Sequence, residues 1–241
     1  MAKITRNTTV FGKECIAEFS KYVTPDNLCI EITKNRSQCI DTIKCEYDGK
    51  VNACDSSKVS NEAYCALTLY VILERAAKDL GYNTNKLAAL KTKGAADFMN
   101  RAKKAGLLVD KLATTGCCFY RKSTEAGASG HVGLVTLFDG ELLHTIEANM
   151  TFIYNGKAYD GIFGRTYTKE QVASQGFQFI HTEFLYGNQQ TQMSFELPDK
   201  KGRYLTAIPD LTSGEWLTVL LATAAIGGGG YYAYKNKLIK L

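Results

Sequence analysis

Cys65, His131, Glu147 and Asn149 are the residues whose types and spacing suit nucleophilic chemistry on an amide. A thiol attacks well only as a thiolate. A neighbouring histidine supplies that state by accepting the proton, and a third group must fix the tautomer and direction of its ring. His131 opens the stretch GHVGLVTLFDGELLHTIEAN, residues 130–149. It reads as two strands, 131–138 and 142–149, joined by a turn at Asp139-Gly140. Strand side chains alternate between faces, so Glu147 and Asn149 share one face while His144 and Ile146 share the other. A histidine at the start of one strand can therefore face a Glu and an Asn at the end of its neighbour. Cys65 lies near the start of a helix expected over residues 61–80, where the helix dipole and free N–H groups favour a thiolate. Its spacing alone also fits a small buried residue. The histidine-bearing strand pair downstream is what separates Cys65 from the other cysteines. His144 lies on the wrong strand face to pair with Glu147, and His181, within FQFIHTEF, reads as a structural residue. The three histidines lack HExxH or comparable spacing, so neither a metal nor another cofactor is implied.

Those side chains need a helix and a sheet to position them. Residues 61–80, NEAYCALTLYVILERAAKDL, carry an apolar stripe through Ala66, Leu69, Tyr70, Leu73, Ala76, Ala77 and Leu80, with Ser60 or Asn61 as a cap and Gly81 at the C′ position. Shorter helices are expected over 13–23 and 94–106. Residues 26–60 are polar and irregular in pattern. Strands are expected at 116–121, 131–138, 142–149, 151–154, 158–165 and 177–185. Helices first and strands after them predict an α+β fold, with N-terminal helices packed on one side of a central antiparallel sheet.

The chain has 241 residues, 45% of them hydrophobic and 22% charged, which suffices for one sizeable domain plus extras. A net charge of +5 is mild and spread out, with no basic run interleaved with aromatics, which argues against a nucleic-acid partner. The eight cysteines include no CxxC pair, and MAKITRNTTVFGKEC has no apolar signal core. Synthesis in a reducing cytoplasm is the simpler reading, with most of the cysteines acting as small buried apolar residues. Residues 186–215 read as a polar connector. The stretch 216–234, WLTVLLATAAIGGGGYYAY, has no charge and is followed by Lys235, Lys237 and Lys240. As a helix it would reach about 28 Å, close to a hydrocarbon core, with Trp216 and three tyrosines as an aromatic belt. A membrane anchor over 216–241, with a basic tail, is the expectation.

Three segments together resemble a known family. Ala63-Tyr64-Cys65-Ala66, Gly130-His131-Val132-Gly133-Leu134-Val135 and Thr145-Ile146-Glu147-Ala148-Asn149 are similar to the signatures of the CHAP-type amidases. These are cysteine- and histidine-dependent amidohydrolases and peptidases of the papain-like, NlpC-type superfamily. The order matches, as do the separations of about 66 residues from Cys65 to His131 and about 16 from His131 to Glu147. The resemblance spans roughly residues 10–185. Gly116-Cys117-Cys118-Phe119-Tyr120 lies where the family usually has a Pro-Gly-Asp strand entry, which this chain lacks. What the resemblance implies is a papain-like fold over residues 1–185 acting on bacterial peptidoglycan. Cys65 is then the nucleophile, His131 the general base and later acid, Glu147 the group that orients the imidazole, and Asn149 a support for the histidine or substrate. The bond would be the N-acetylmuramoyl–L-alanine amide or a peptide cross-link.

A wall hydrolase with a C-terminal membrane segment suits a bacteriophage virion with an internal membrane, among virion structural proteins, or a bacterial cell envelope. Two other readings compete. One is a membrane-anchored structural or binding protein on a dormant version of the same fold. The other is a cysteine protease or acyltransferase acting on proteins or lipids.

Overall fold

The computed structural model describes residues 3–23, 30–32, 38–50, 63–122, 130–154 and 157–196. The expected membrane segment at 216–234 lies outside them, and among the described residues no helix is long and apolar enough to cross a membrane. The elements run β1 (Lys3–Thr9), α1 (Val10–Ser20), β2 (Ile30–Ile32), α2 (Gln38–Tyr47), α3 (Cys65–Asp79), α4 (Ala95–Lys104), β3 (Val109–Asp110), β4 (Cys118–Arg121), β5 (His131–Phe138), β6 (Leu142–Tyr154), β7 (Lys157–Thr168), α5 (Lys169–Ser174), β8 (Gln178–Ile180) and β9 (Gln190–Glu196). Apart from β1 and the short β2, the helices precede the strands, and the strands pair antiparallel, so the expected α+β class is what the chain folds into.

The larger sheet has strand order β2-β7-β6-β5-β4-β8-β3. Its spine is β5–β6–β7, paired antiparallel through Leu134 with Ile146 and through Ile146 with Gly164. The two strands expected at 142–149 and 151–154 are one strand, β6, interrupted by a bulge between Ala148 and Met150. Pairing on both sides of the extra residue keeps the ladder going, which the change of alternation in the sequence conceals.

Helix α3 is buried along most of its circumference, from Cys65 through Leu73 and again at Ala76 and Ala77. Such a helix must be covered on several sides. It lies against α1, α2 and the sheet, and Arg75 on its last turns ties it to the others. The Arg75 guanidinium donates to Glu46 of α2 at 2.9 and 3.0 Å and to Glu18 of α1 at 3.1 Å. Its C-terminus closes at Gly81, with φ of 67°, through Tyr82 N–H to Ala77 O and Gly81 N–H to Lys78 O. This is the paired pattern that a glycine in the left-handed region permits. The N-terminus differs from expectation. The helix begins at Cys65, with Tyr64 as N-cap and no side-chain cap, and the expected caps Ser60 and Asn61 lie outside the described residues.

One core fills the space between the helices and one sheet face, through residues such as Phe19, Leu69, Phe98, Val132, Leu134 and Ile146. A second, smaller core lies on the opposite face and contains Cys117, Phe119, Val135, Leu143, Tyr167, Phe177 and Phe179.

Three features depart from the sequence reading. Within the irregular stretch 26–60, residues 38–47 form α2 and 30–32 form a sheet strand. Residues 190–196, inside the expected connector, form β9, which pairs with β1 at the N-terminus from Lys3↔Glu196 to Thr9↔Gln190. The strand expected at 177–185 stops at Ile180 and gives way to a short 3-10 turn, Thr182–Phe184. As expected, Cys15, Cys117 and Cys118 are buried free thiols, but Cys45 is disulfide-bonded.

Candidate active site

The glycines of GHVG set the first strand in place. Gly130 has φ of 91°, and a Cβ there would stand 2.6 Å from both the Arg121 carbonyl and the Tyr120 ring. A side chain at this position would push β5 off β4. At Gly133 a Cβ would meet the Phe119 ring at 2.7 Å and the Ile146 carbonyl at 2.8 Å. Without that Cβ the Phe119 ring lies over the strand, its centroid 6.3 Å from that of the His131 ring. The motif is thus a packing solution that walls one side of the histidine.

His131 is almost wholly buried, and its Nε2 stands 3.0 Å from Glu147 Oε2 on the neighbouring strand. With Nε2 facing Glu147, Nδ1 is the nitrogen left for a nucleophile. Glu147 has no solvent exposure. Its other oxygen, Oε1, accepts from Thr145 Oγ1 and from Tyr167 Oη, each at 2.7 Å. Thr145 shares Glu147's face two residues earlier on β6. Tyr167 comes from β7, where it pairs with Leu143.

Cys65 sits on the first turn of α3 with its sulfur against the His131 ring. Burial alone would push the thiol up. The His131 ring, with the backbone N–H groups of Val132 and Ala66, outweighs burial and holds the thiol below its ordinary value. The missing side-chain cap fits this, because the first-turn N–H groups remain available to the sulfur. For His131, burial alone would lower the pKa, but hydrogen bonding to Cys65 and to Glu147 raises it to about 9. For Glu147, burial works upward and is overcome by the hydrogen bond and charge of His131 and by the Arg165 and Arg121 guanidinium groups, which bring it down to about 2. At neutral pH the acid is ionised, the imidazole is charged, and the sulfur is drawn towards the thiolate.

The other described free thiols go the opposite way. Burial pushes Cys15 and Cys117 well up, and Cys118 to about 12. Cys118 Sγ also contacts Thr182 Oγ1 at 3.1 Å, which suits an inert packing residue. The remaining histidines are occupied as the sequence suggests. His144 contacts Thr166 Oγ1 at 3.1 Å through Nδ1. His181 is clamped between Glu183 Oε1 at 2.9 Å and Asp110 Oδ1 at 3.1 Å. Among the described residues no group of three or more His, Cys, Asp or Glu side chains is arranged to hold a metal ion.

Three of the four residues singled out in the sequence therefore converge: Cys65, His131 and Glu147. Asn149 is the extra residue of the β6 bulge, half-buried, with φ of 62°. Among the described residues, His131 is joined by Cys65, Glu147 and the Phe119 ring, not by Asn149. The bulge breaks the alternation that would have set Asn149 beside Glu147. Sequence reasoning missed Thr145, Tyr167, Arg165 and Arg121. Thr145 was findable from the T-x-E spacing on one strand face. Tyr167 needed the β6–β7 register.

The fold and this cluster define an α+β protein with a buried Cys-His-Glu constellation at the junction of a helix N-terminus and an antiparallel sheet. No family model and no curated protein matches the sequence. Among solved structures, the chain is similar to an N-acetylmuramoyl-L-alanine amidase from Staphylococcus aureus, at 19% identity and a TM-score of 0.33, over 51% of this chain and 30% of that one. The likeness thus takes in less than a third of that protein's length.

Proposed function

We propose that this chain is a thiol-dependent hydrolase that cleaves an amide bond of bacterial peptidoglycan. The observation that carries the chemistry is that Cys65, at the start of α3, lies against a histidine whose Nε2 stands 3.0 Å from the buried Glu147 carboxylate. The resemblance of its three motifs to those of the CHAP-type amidases supports the substrate class.

In this reading the Cys65 thiolate attacks the amide carbonyl carbon and a C–S bond forms. The oxygen takes up negative charge near the N-terminus of α3, where the Cys65 backbone N–H is a donor. The His131 imidazolium protonates the amide nitrogen, the C–N bond breaks, and the amine departs. His131, now neutral, accepts a proton from water, and the hydroxide attacks the thioester. The C–S bond breaks, the carboxylic acid leaves, and the thiolate–imidazolium pair is restored. Glu147 stays ionised throughout and steadies the charged ring.

The bond is the N-acetylmuramoyl–L-alanine amide or a peptide cross-link. Residues 1–185 form the catalytic part, 186–215 a connector and 216–241 a membrane anchor in this proposal. The setting is a wall-opening enzyme of a virion with an internal membrane. Immunoblots of purified virions test that setting, and absence of the protein argues against it. The activity is tested by mass spectrometry of fragments released from purified sacculi. Wild-type protein should release fragments with a new amine and a new carboxylate, and Cys65→Ala and His131→Ala should release none while remaining folded. Equal release by either variant would overturn the assignment.

A further inference from the structure

Glu147 is held by more than its histidine, and the way it is held assigns a role to two residues outside the Cys-His-Glu set. We infer that Tyr167 and Thr145 are positioning residues that lock the Glu147 carboxylate so that one oxygen is committed to His131. The inference rests on the proposed Cys65–His131 pair.

The two carboxylate oxygens do separate jobs. Oε1 accepts both hydroxyl bonds, from Thr145 and Tyr167 at 2.7 Å each, while Oε2 alone faces His131 Nε2 at 3.0 Å. A carboxylate turns readily about its terminal torsion, which is broad and roughly two-fold. Two donors converging on one oxygen from different strands remove that freedom and present the other oxygen in a fixed direction. Neither donor can wander. Thr145 is 2% exposed and stiff at its branched Cβ. The Tyr167 ring, also buried, meets Phe177 edge-on at 5.0 Å and carries the Arg165 guanidinium 5.2 Å above it.

The arrangement follows from the sheet. On β6, Leu143, Thr145 and Glu147 share a face; opposite them on β7 stand Tyr167, Arg165 and Phe163. Tyr167 pairs with Leu143, and its long side chain reaches along the face past Arg165 to the carboxylate. Glu147 is shut off from bulk solvent, and these hydroxyls supply part of the hydrogen bonding that an anion needs in the interior. Without them the carboxylate, still kept anionic by His131, Arg165 and Arg121, is free to turn, so it holds the imidazolium less firmly and the imidazolium in turn holds the thiolate less firmly.

The test reads Cys65 directly and needs no cell-wall substrate. The rate of iodoacetamide alkylation at Cys65 is followed by peptide mass spectrometry from pH 4 to 10 in the full-length protein, for wild type, Tyr167→Phe, Thr145→Val, the double variant, Thr145→Ser and Glu147→Gln. Tyr167→Phe removes only the hydroxyl and keeps the ring packing. The wild-type profile should rise at an acid-side edge well below the ordinary thiol range and then level off, because neutral iodoacetamide reads the thiolate and the imidazolium is what brings that edge down. In the double variant that edge should move up by about one pH unit, tenfold in the thiolate population at a pH below it. Each single variant should show part of that shift in the same sense as Glu147→Gln, and Thr145→Ser should restore the edge. Should the double variant fail to fold, the smaller shift in the same sense is read from Tyr167→Phe alone. An edge unmoved in Tyr167→Phe and in the double variant, with Glu147→Gln moving it, would overturn the positioning role while leaving the pair intact. A wild-type profile that titrates as a solitary thiol would overturn the pair itself, and the inference with it.

Discussion

His131 and Glu147 perturb each other in opposite senses, and stability should report it. The Glu147 carboxyl lies at about 2 in the folded chain, below its ordinary 4.5. Its contribution is therefore complete above about pH 4.5 and fades as pH falls towards 2. His131 lies at about 9, above its ordinary 6.5. Its contribution is complete below about pH 6.5 and is lost as pH rises through 9. The two windows overlap between about pH 4.5 and 6.5. Thermal unfolding of wild type and His131→Gln should differ most in that interval, the wild type being the more stable, and the gap should close towards pH 10. A gap that widens with rising pH would contradict a charged, paired His131. The same residue scale shows what was legible. Cys65, His131 and Glu147 were marked by a helix start and by strand alternation, both local signals. Asn149 is the extra residue of the β6 bulge, which interrupts the alternation, and nothing in TIEANMTF announces that bulge. Tyr167 was invisible because its link to Glu147 depends on which residues of β6 and β7 face each other.

At the scale of elements, β5 has the expected bounds because its apolar residues and flanking turn are local, and α3 is a long apolar run that admits little else. The polar elements were harder. In α2, Asp41 and Lys44 are buried along with Ile40 and Ile43, so charged residues interrupt the apolar stripe that would have declared a helix. β1, KITRNTT, shows no apolar face and is a strand through its pairing with β9. The glycine of the β4–β5 junction offers a direct test. Gly133→Ala forces a methyl against the Phe119 ring and a carbonyl that belongs to the ladder. It should cost about 1–3 kcal/mol of stability by overpacking and shift Phe119 against His131. Chemical denaturation should show the loss, and alkylation of Cys65 at neutral pH should slow. Unchanged stability and reactivity would mean that the strand tolerates the methyl without moving the wall of the site.

Across the whole molecule, two buried polar clusters lie in different parts of the sheet and should answer separately. The His181 clamp joins the edge strand β3, through Asp110, to the 3-10 turn that follows β8, through Glu183. Thr9 at the start of α1 donates to the Glu183 carbonyl at 2.7 Å, so the clamp also anchors the N-terminal helix. Hydrogen bonding to Glu183 raises the His181 pKa against the pull of burial, with Asp110 adding to it. Removing the ring deletes the contacts to Glu183 and Asp110 and leaves a cavity in the clamp, a loss of about 1–3 kcal/mol for unmade buried hydrogen bonds. His181→Ala should therefore lower the denaturation midpoint and leave the pH profile of Cys65 alkylation where it is in wild type. A changed profile would mean that the two clusters are coupled through the sheet.

The central claim is that one imidazole activates one thiol. The most direct measurement compares the rate of Cys65 carboxymethylation at pH 6 in wild type and in His131→Ala, both shown folded by circular dichroism. The account predicts rapid labelling of the wild type and at least tenfold slower labelling of the variant, whose buried sulfur has lost the group that holds its pKa down. Equal rates in the two proteins would contradict it.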